Sequence, residues 1–244
     1  MPYLTDKLER HLAAERNQFP IGRARVLENA ALEIKRYSAF LILVKARAIE
    51  VSVKCNEALR CCVGMPAGEE REKRMSRFEQ LNVNLQLDIE SFYIFATIYL
   101  DKTSHFLEAY FGELRDCSFE SFRSLKQQLD LMESSHGFKL NRQFREMAEK
   151  LFTDIVDFRD KKITHAKMPR LFRGLNWEAD GRVTMASGLI NAKPTDKLFQ
   201  TTDVGDLWML LEKYSGLFTE FVEQNPKKAK SRLNENEPVV SEKK

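Results

Sequence analysis

Apolar residues recur at helical spacing through most of the chain. From about Gly22 to Cys62 they return at intervals of three, four and seven, which predicts one long helix. The segment Gly64–Lys73 combines glycine, proline and charged residues, so we expect a turn there. A third helix is predicted from this turn to about Gly112. Its apolar side chains cover more than one face, the second of which carries Leu87, Ile94 and Ile98, and this indicates a central helix buried against several neighbours.

Shorter helices are predicted on either side of these two. Thr5 or Asp6 is expected to cap a first helix that ends before Pro20. Asp203 is expected to cap the last helix, because a short acidic side chain can accept from the free amides there. Three further helices are predicted at residues 119–132, 142–166 and 203–224.

The hydrophobic pattern changes after the fifth helix. Residues 171–190 contain Asp180-Gly181 at their centre, a sequence typical of a two-residue type I′ turn, and this predicts a small β-hairpin. Two strands alone are marginally stable, so the hairpin is expected to lie on the helices. The tail 226–244 is polar, mostly basic and without a period, which predicts disorder.

The fold class is therefore mostly α: a helical bundle with a small β-hairpin and a C-terminal helix. We expect a single helical domain over residues 1–225, with its core helices between 21 and 166. Asp88 falls on the apolar stripe of the third helix, where an isolated charge would be too costly. It is therefore expected to be paired and to brace a neighbouring helix.

Composition narrows the classes of protein. The 39 basic and 36 acidic side chains give a net charge of +3, too balanced to indicate nucleic-acid binding by bulk charge. The longest apolar runs fall short of the roughly 20 residues that span a bilayer, and the N-terminus lacks a signal-peptide layout. A cytoplasmic protein without membrane contact is expected. The four cysteines form no Cys-x-x-Cys pair, so reduced thiols and no metal site are expected.

The segment Asp154–Lys167 concentrates the candidate chemistry. At 100° per residue, Arg159 lies about 80° to one side of Leu151 and His165 about 40° to the other. Both would flank the packing face of the fifth helix. If this face packs on a copy of itself about a twofold axis, both side chains from both subunits line one cleft, which favours a homodimer.

The chemistry that this pair suggests is metal-free RNA cleavage. Histidine can move a proton at neutral pH, and arginine can hold two phosphate oxygens. Asp160 is a candidate for orienting either side chain. Candidates for phosphate contact are Lys161, Lys162, Ser121 and Arg123. On spacing alone, a structural interpretation stays open: an arginine paired with an acid such as Asp157, and a histidine that ends the helix.

The sequence FRDKKITHAK resembles the Arg-polar-(three to five residues)-His signature of HEPN domains, which are helical bundles of toxin–antitoxin and phage-defence systems. The helix ESFYIFATIYLDKTSHFLEAYFG is similar to their long core helices, and the resemblance covers about residues 21–166. It implies Arg159 and His165 as the catalytic pair of a metal-independent endoribonuclease without a cofactor. Asp160 takes a position that is often asparagine in the family.

The resemblance also implies partners. They are RNA, a second copy of the chain, and an antitoxin or another protein. Some HEPN domains are inactive, so the alternative is a non-catalytic helical module for dimerisation or protein interaction.

Overall fold

A computed structural model of the 244-residue chain describes residues 5–62, 65–160, 170–177, 183–190 and 201–226. The mostly α-helical class is confirmed. In chain order the elements are α1 (Asp6–Glu15), α2 (Ile21–Cys62), α3 (Glu69–Phe111), α4 (Phe122–Ser134), α5 (Arg142–Leu151), β1 (Arg170–Trp177), β2 (Val183–Ile190) and α6 (Thr201–Gln224). Within these ranges, none of the helices has the length and apolar character needed to cross a membrane.

Helix α2 follows the prediction closely. It begins at Ile21, one residue before the predicted start, and ends at Cys62 without interruption. The predicted apolar stripe is buried, as Ile34, Leu41 and Cys55 illustrate. The spacing of its apolar residues was therefore sufficient to predict both the element and the face that it buries.

Helix α3 begins earlier than predicted. Its first residue is Glu69, inside the segment 64–73 that was expected to be a turn. The first turn carries Glu69, Glu70 and Glu72, and carboxylates at a helix N-terminus interact favourably with the helix dipole. The other end agrees with prediction: Gly112 has a φ of 78°, the left-handed conformation in which glycine commonly ends a helix.

The second apolar face of α3 was predicted at the wrong residues. Leu87 and Ile94 were expected to be buried but are 53% and 40% exposed. Tyr93, Leu100 and Leu107 are buried instead. The helix is therefore buried over more than one row of side chains, but the row that neighbours cover is not the one expected.

Two other helix starts differ from prediction. Helix α4 begins at Phe122, three residues later than expected, because Ser121 is extended and its side chain accepts a hydrogen bond from the amide of Ser124. Helix α6 begins at Thr201, so Asp203 lies in its first turn and the prediction that it caps the helix was wrong. Helix α1 begins after Thr5 as expected, although the hydroxyl of Thr5 donates to the Glu9 carboxylate and caps no amide.

The strands β1 and β2 pair antiparallel, with Arg170 opposite Ile190 and Trp177 opposite Val183. This register is centred on residue 180, whereas a regular two-residue turn at Asp180-Gly181 would place Trp177 opposite Thr184. The predicted turn itself falls on residues 178–182, which lie outside the described residues, as does the predicted disordered tail beyond residue 226.

The chain forms two compact units, and the single domain predicted over residues 1–225 stays a prediction. The first unit takes residues 1–39, 97–154 and 209–244 as far as they are described. Its core is aromatic. The ring of Phe144 stacks on Phe221 at a centroid distance of 5.2 Å and on Tyr214 at 5.7 Å.

The second unit takes residues 40–96 and 155–208 as far as they are described. In it, Cys55 and Leu59 from α2 form a buried cluster with Phe78 from α3. Further along the same two helices, the rings of Phe40 and Phe95 lie 5.3 Å apart. These contacts pair the C-terminal part of α2 with the N-terminal part of α3.

Candidate functional site

The helix that leads to Arg159 forms as the sequence predicts. Asn141 caps α5, since its side-chain oxygen accepts from the amide of Gln143 at 2.9 Å. The apolar stripe of α5 is buried, and Ile155 beyond its end is buried as well. The stripe residues within α5 are Phe144, Met147, Ala148 and Leu151.

The geometry changes after Leu151. Residues Phe152–Asp157 are π-helical, a helix type whose hydrogen bonds join residues five apart and which is wider than an α-helix. Val156, five residues after Leu151, is therefore buried, although a step of 100° per residue would place it on another face. The angles of an α-helix therefore do not apply beyond Leu151, and the position of Arg159 beside the packing face stays a prediction. Short π-helical segments occur frequently at functional sites.

Arg159 is held by the next residue in the chain. Its Nε and Nη2 atoms both donate to Oδ1 of Asp160, at 2.9 and 2.5 Å. The side chains are 29% and 32% exposed, so the pair is neither fully solvated nor sealed in the core. Asp160 was considered for orienting either Arg159 or His165, and in the structure it contacts Arg159. A phosphate that binds this guanidinium has to compete with the carboxylate.

A stacked aromatic pair fixes the helix just before Arg159. The ring of Phe158 lies 4.8 Å from the ring of Tyr93 on α3, with the planes 27° apart. Aromatic pairs of this kind contribute about 0.5–1.5 kcal/mol beyond the area that they bury. Phe158, the residue before Arg159, therefore attaches this part of the helix to α3.

Three of the seven predicted site residues fall outside the described residues. This applies to His165, Lys161 and Lys162. The catalytic pairing of Arg159 with His165, and the cleft across a twofold axis, stay predictions.

The two upstream candidates have structural contacts in the first unit. Ser121 caps α4, as described above. The guanidinium of Arg123 lies over the ring of Phe152 at 4.8 Å, and Lys126 lies over the same ring at 5.2 Å while its Nζ binds the Glu149 carboxylate at 2.8 Å. These contacts attach α4 to α5 and to Phe152 directly after it.

Asp88 is paired across two helices, as expected. Its Oδ1 accepts from Nε of Arg47 on α2 at 3.0 Å, and the residue is only 4% exposed. Among the described residues, its Oδ2 has no hydrogen-bond partner. Burial raises the pKa of the Asp88 carboxyl, and the charge of Arg47 opposes part of that effect.

The structure also contains a group of ionisable side chains that sequence reasoning missed. The hydroxyl of Tyr110 donates to Glu15 at 2.8 Å and lies 3.3 Å from Nε2 of His11. Nδ1 of His11 faces Glu223 at 4.0 Å. Burial raises the pKa of Tyr110, and its bond to Glu15 acts in the same direction. Only the spacing of four between His11 and Glu15 was visible in the sequence.

The other described histidines bind main-chain oxygens. His105 pairs with the carbonyl of Glu120 at 2.8 Å, and His136 with that of Arg115 at 2.9 Å. In the described ranges, no group of three or more His, Cys, Asp or Glu side chains is arranged to hold a metal ion. Comparison of the chain with protein-family models, with curated proteins and with solved structures found no match.

Proposed function

We propose that the protein is a metal-independent endoribonuclease of the HEPN type, in which Arg159 and His165 form the catalytic pair. The observation that carries the proposal is the resemblance of FRDKKITHAK to the HEPN signature. The half-buried position of Arg159 at the end of a π-helical segment supports it, because a partly exposed guanidinium is accessible to phosphate. A cytoplasmic location and a role as a toxin or phage-defence effector belong to the same proposal.

In the proposed reaction the imidazole of His165 takes the proton of the RNA 2′-hydroxyl or supplies one to the leaving 5′-oxygen. The 2′-oxygen attacks the adjacent phosphorus, the bond to the 5′-oxygen breaks, and a 2′,3′-cyclic phosphate is left. Arg159 stabilises the additional negative charge of the transition state with two donors. Lys161 and Lys162 are proposed to hold neighbouring phosphates, and two copies of the chain to form one cleft.

The carboxylate of Asp160 lowers the expected activity. It accepts from Nε and Nη2, one of the edges of the Arg159 guanidinium with which a phosphate can pair. A partly exposed ion pair contributes about 0–1 kcal/mol, which corresponds to at most roughly a fivefold effect on phosphate binding. Asp160→Asn keeps the size of the side chain and is expected to raise RNA cleavage within that range.

A second candidate function is a non-catalytic module for protein interaction. The capture of Arg159 by Asp160 favours it, because the ion pair gives the arginine a structural role. Exposed apolar side chains on α2 favour it as well, since Leu43 is 65%, Ile49 47% and Val53 52% exposed. In this alternative a second copy or a protein partner binds the helices, and RNA is not cleaved.

The test is cleavage of single-stranded RNA by the full-length protein in EDTA, with analysis of the fragment ends. The nuclease proposal requires fragments with cyclic phosphate ends that disappear in Arg159→Ala and in His165→Ala. Matched controls are Arg142→Ala and His105→Ala, which alter an exposed arginine and an exposed histidine outside the motif. Circular dichroism of each variant establishes that it is folded.

Different outcomes separate the two functions. Cleavage that persists in Arg159→Ala would refute the catalytic role of this residue. Absence of cleavage in the wild-type protein and in Asp160→Asn, together with a change in oligomeric state in Val53→Glu, would favour the interaction module. Light scattering after size exclusion measures that state directly.

A further inference from the structure

A cavity of about 430 Å³ lies between α1, the 3₁₀ turn Arg16–Gln18 and the start of α2, within the first unit. Most of its lining is apolar. The apolar lining residues are Leu12, Ala13, Phe19, Ala24, Leu27, Ala31 and Leu32. A concave, mostly apolar space of this size with a few polar groups is typical of sites for small molecules.

Two ion pairs join the segments that line the cavity. Nζ of Lys35 binds Glu9 at 2.9 Å, and Nε of Arg16 binds Glu28 at 3.1 Å. Glu9 and Arg16 are seven residues apart, and so are their partners Lys35 and Glu28, but in the reverse order along the chain. The two segments therefore run antiparallel. Ala13 and Ala31 lie midway in this register. Because each has only a methyl group, the space between the ion pairs is not filled.

The residues that line the cavity range from buried to exposed. Phe19 is 8% exposed, and its ring packs edge-on against Tyr110 at 5.7 Å, which makes it a firm inner wall. Leu32 also lines the cavity and is 60% exposed, so apolar surface continues from the cavity to the outside. An apolar group that enters from this side would therefore remove both surfaces from water.

The charges at the cavity indicate which polar group a ligand would carry. Among the described lining residues, Glu9 and Glu28 are carboxylates and Arg16 is a guanidinium, so the lining has a net charge of −1. Lys35 does not line the cavity but binds Glu9 and offsets its charge, so the selection of a ligand's charge rests on Glu28. Both carboxylates are partly exposed, at 35% and 47% of their side-chain surface, and an added cation can reach them.

We propose that this cavity binds a small amphipathic amine, with its apolar body between Ala13 and Ala31 and its ammonium group at Glu28. The site is independent of Arg159 and of the nuclease proposal. Its two recognition elements are distinct: the apolar lining holds the body, and Glu28 selects the charge of the end group.

Three probes of similar size and different charge test the proposal: 2-phenylethylamine, 2-phenylethanol and 3-phenylpropionate. Titration of the full-length protein, followed by NMR or calorimetry, is expected to show saturable 1:1 binding in the millimolar range or below. The amine is expected to bind on the order of fivefold tighter than the alcohol, and the carboxylate weakest, because one added Coulomb contact near the surface has this effect.

Variants locate the binding. Ala13→Leu places an isobutyl group in the cavity and is expected to weaken the binding of the amine at least about tenfold. Ala14→Leu is the matched control, since Ala14 is exposed on the same helix and does not line the cavity. Glu28→Gln removes the net negative charge of the lining and is expected to abolish the preference of the amine over the alcohol.

Several results would overturn the proposal. Failure of all three probes to saturate the protein would exclude the site, and unchanged binding in Ala13→Leu would place it elsewhere. Equal binding of amine and alcohol to the wild-type protein would exclude the proposed charge selection. None of these results depends on RNA cleavage.

Discussion

The pair of Arg47 and Asp88 allows a quantitative test of how α2 and α3 are joined. Arg47→Ala removes the donor to Oδ1 of a carboxylate that is 4% exposed and whose Oδ2 has no partner among the described residues. A hydrogen bond to a charged group contributes about 1.5–3 kcal/mol. Arg47 is 63% exposed, so solvent screens the pair and little packing is lost. We therefore expect a loss of about 1.5 kcal/mol at neutral pH.

The loss of stability in Arg47→Ala should depend on pH, and the direction of this dependence follows from the burial of Asp88. Burial raises the pKa of the Asp88 carboxyl in the folded protein, so the folded state binds this proton more tightly than the unfolded state. The contribution of Asp88 to stability therefore falls as the pH rises from the ordinary aspartate pKa of about 3.9 to the higher folded value, and is constant above it. Without Arg47 the folded value rises further. The effect of Arg47→Ala should therefore shrink as the pH is lowered towards 4.

Urea unfolding followed by circular dichroism at pH 7 and at pH 4.5 measures this difference. Arg60→Ala is the control, because Arg60 is an exposed arginine on the same helix. Arg47→Ala combined with Asp88→Asn should be less sensitive to pH than Arg47→Ala alone, since no carboxylate remains to ionise. An unchanged free energy of unfolding in Arg47→Ala at pH 7, or an equal loss at both pH values, would refute the reasoning.

Two further predictions test the helix boundaries and faces. Ser121→Ala removes the acceptor for the Ser124 amide and should lower the free energy of unfolding by about 1 kcal/mol, whereas Ser121→Asp, which can also cap, should retain most of it. Leu87→Ala should change stability by no more than about 0.5 kcal/mol because Leu87 is exposed, while Leu85→Ala in the buried row should cost about 2–5 kcal/mol. Equal effects of the two leucine substitutions in urea unfolding would contradict the assigned faces.

The candidate site shows how far local reasoning reaches. The sequence predicted the helix of Arg159, its buried stripe as far as Ile155, and an acid near the arginine. It named Asp157 as an example of a structural partner, whereas the described ion pair is made by Asp160. The π-helical segment was not predicted. Over six residues, the spacing of apolar side chains in a π-helix is too similar to that in an α-helix to reveal the change in hydrogen bonding.

The sequence by itself determined the helices α2 and α3 and the main apolar face that each of them buries. A helix has 3.6 residues per turn whatever surrounds it, so the spacing of apolar residues fixes which side chains share a face. Gly112 likewise ends α3 through a local conformation that glycine adopts readily.

Only the tertiary structure decided which other faces are covered. Leu87 and Tyr93 are both apolar positions on α3, yet Tyr93 is buried and stacks on Phe158 while Leu87 is exposed. The contact of His11 with Tyr110 joins residues 99 positions apart. Such choices depend on where other segments of the chain pack, and this is set by the sum of many long-range contacts that no local period records.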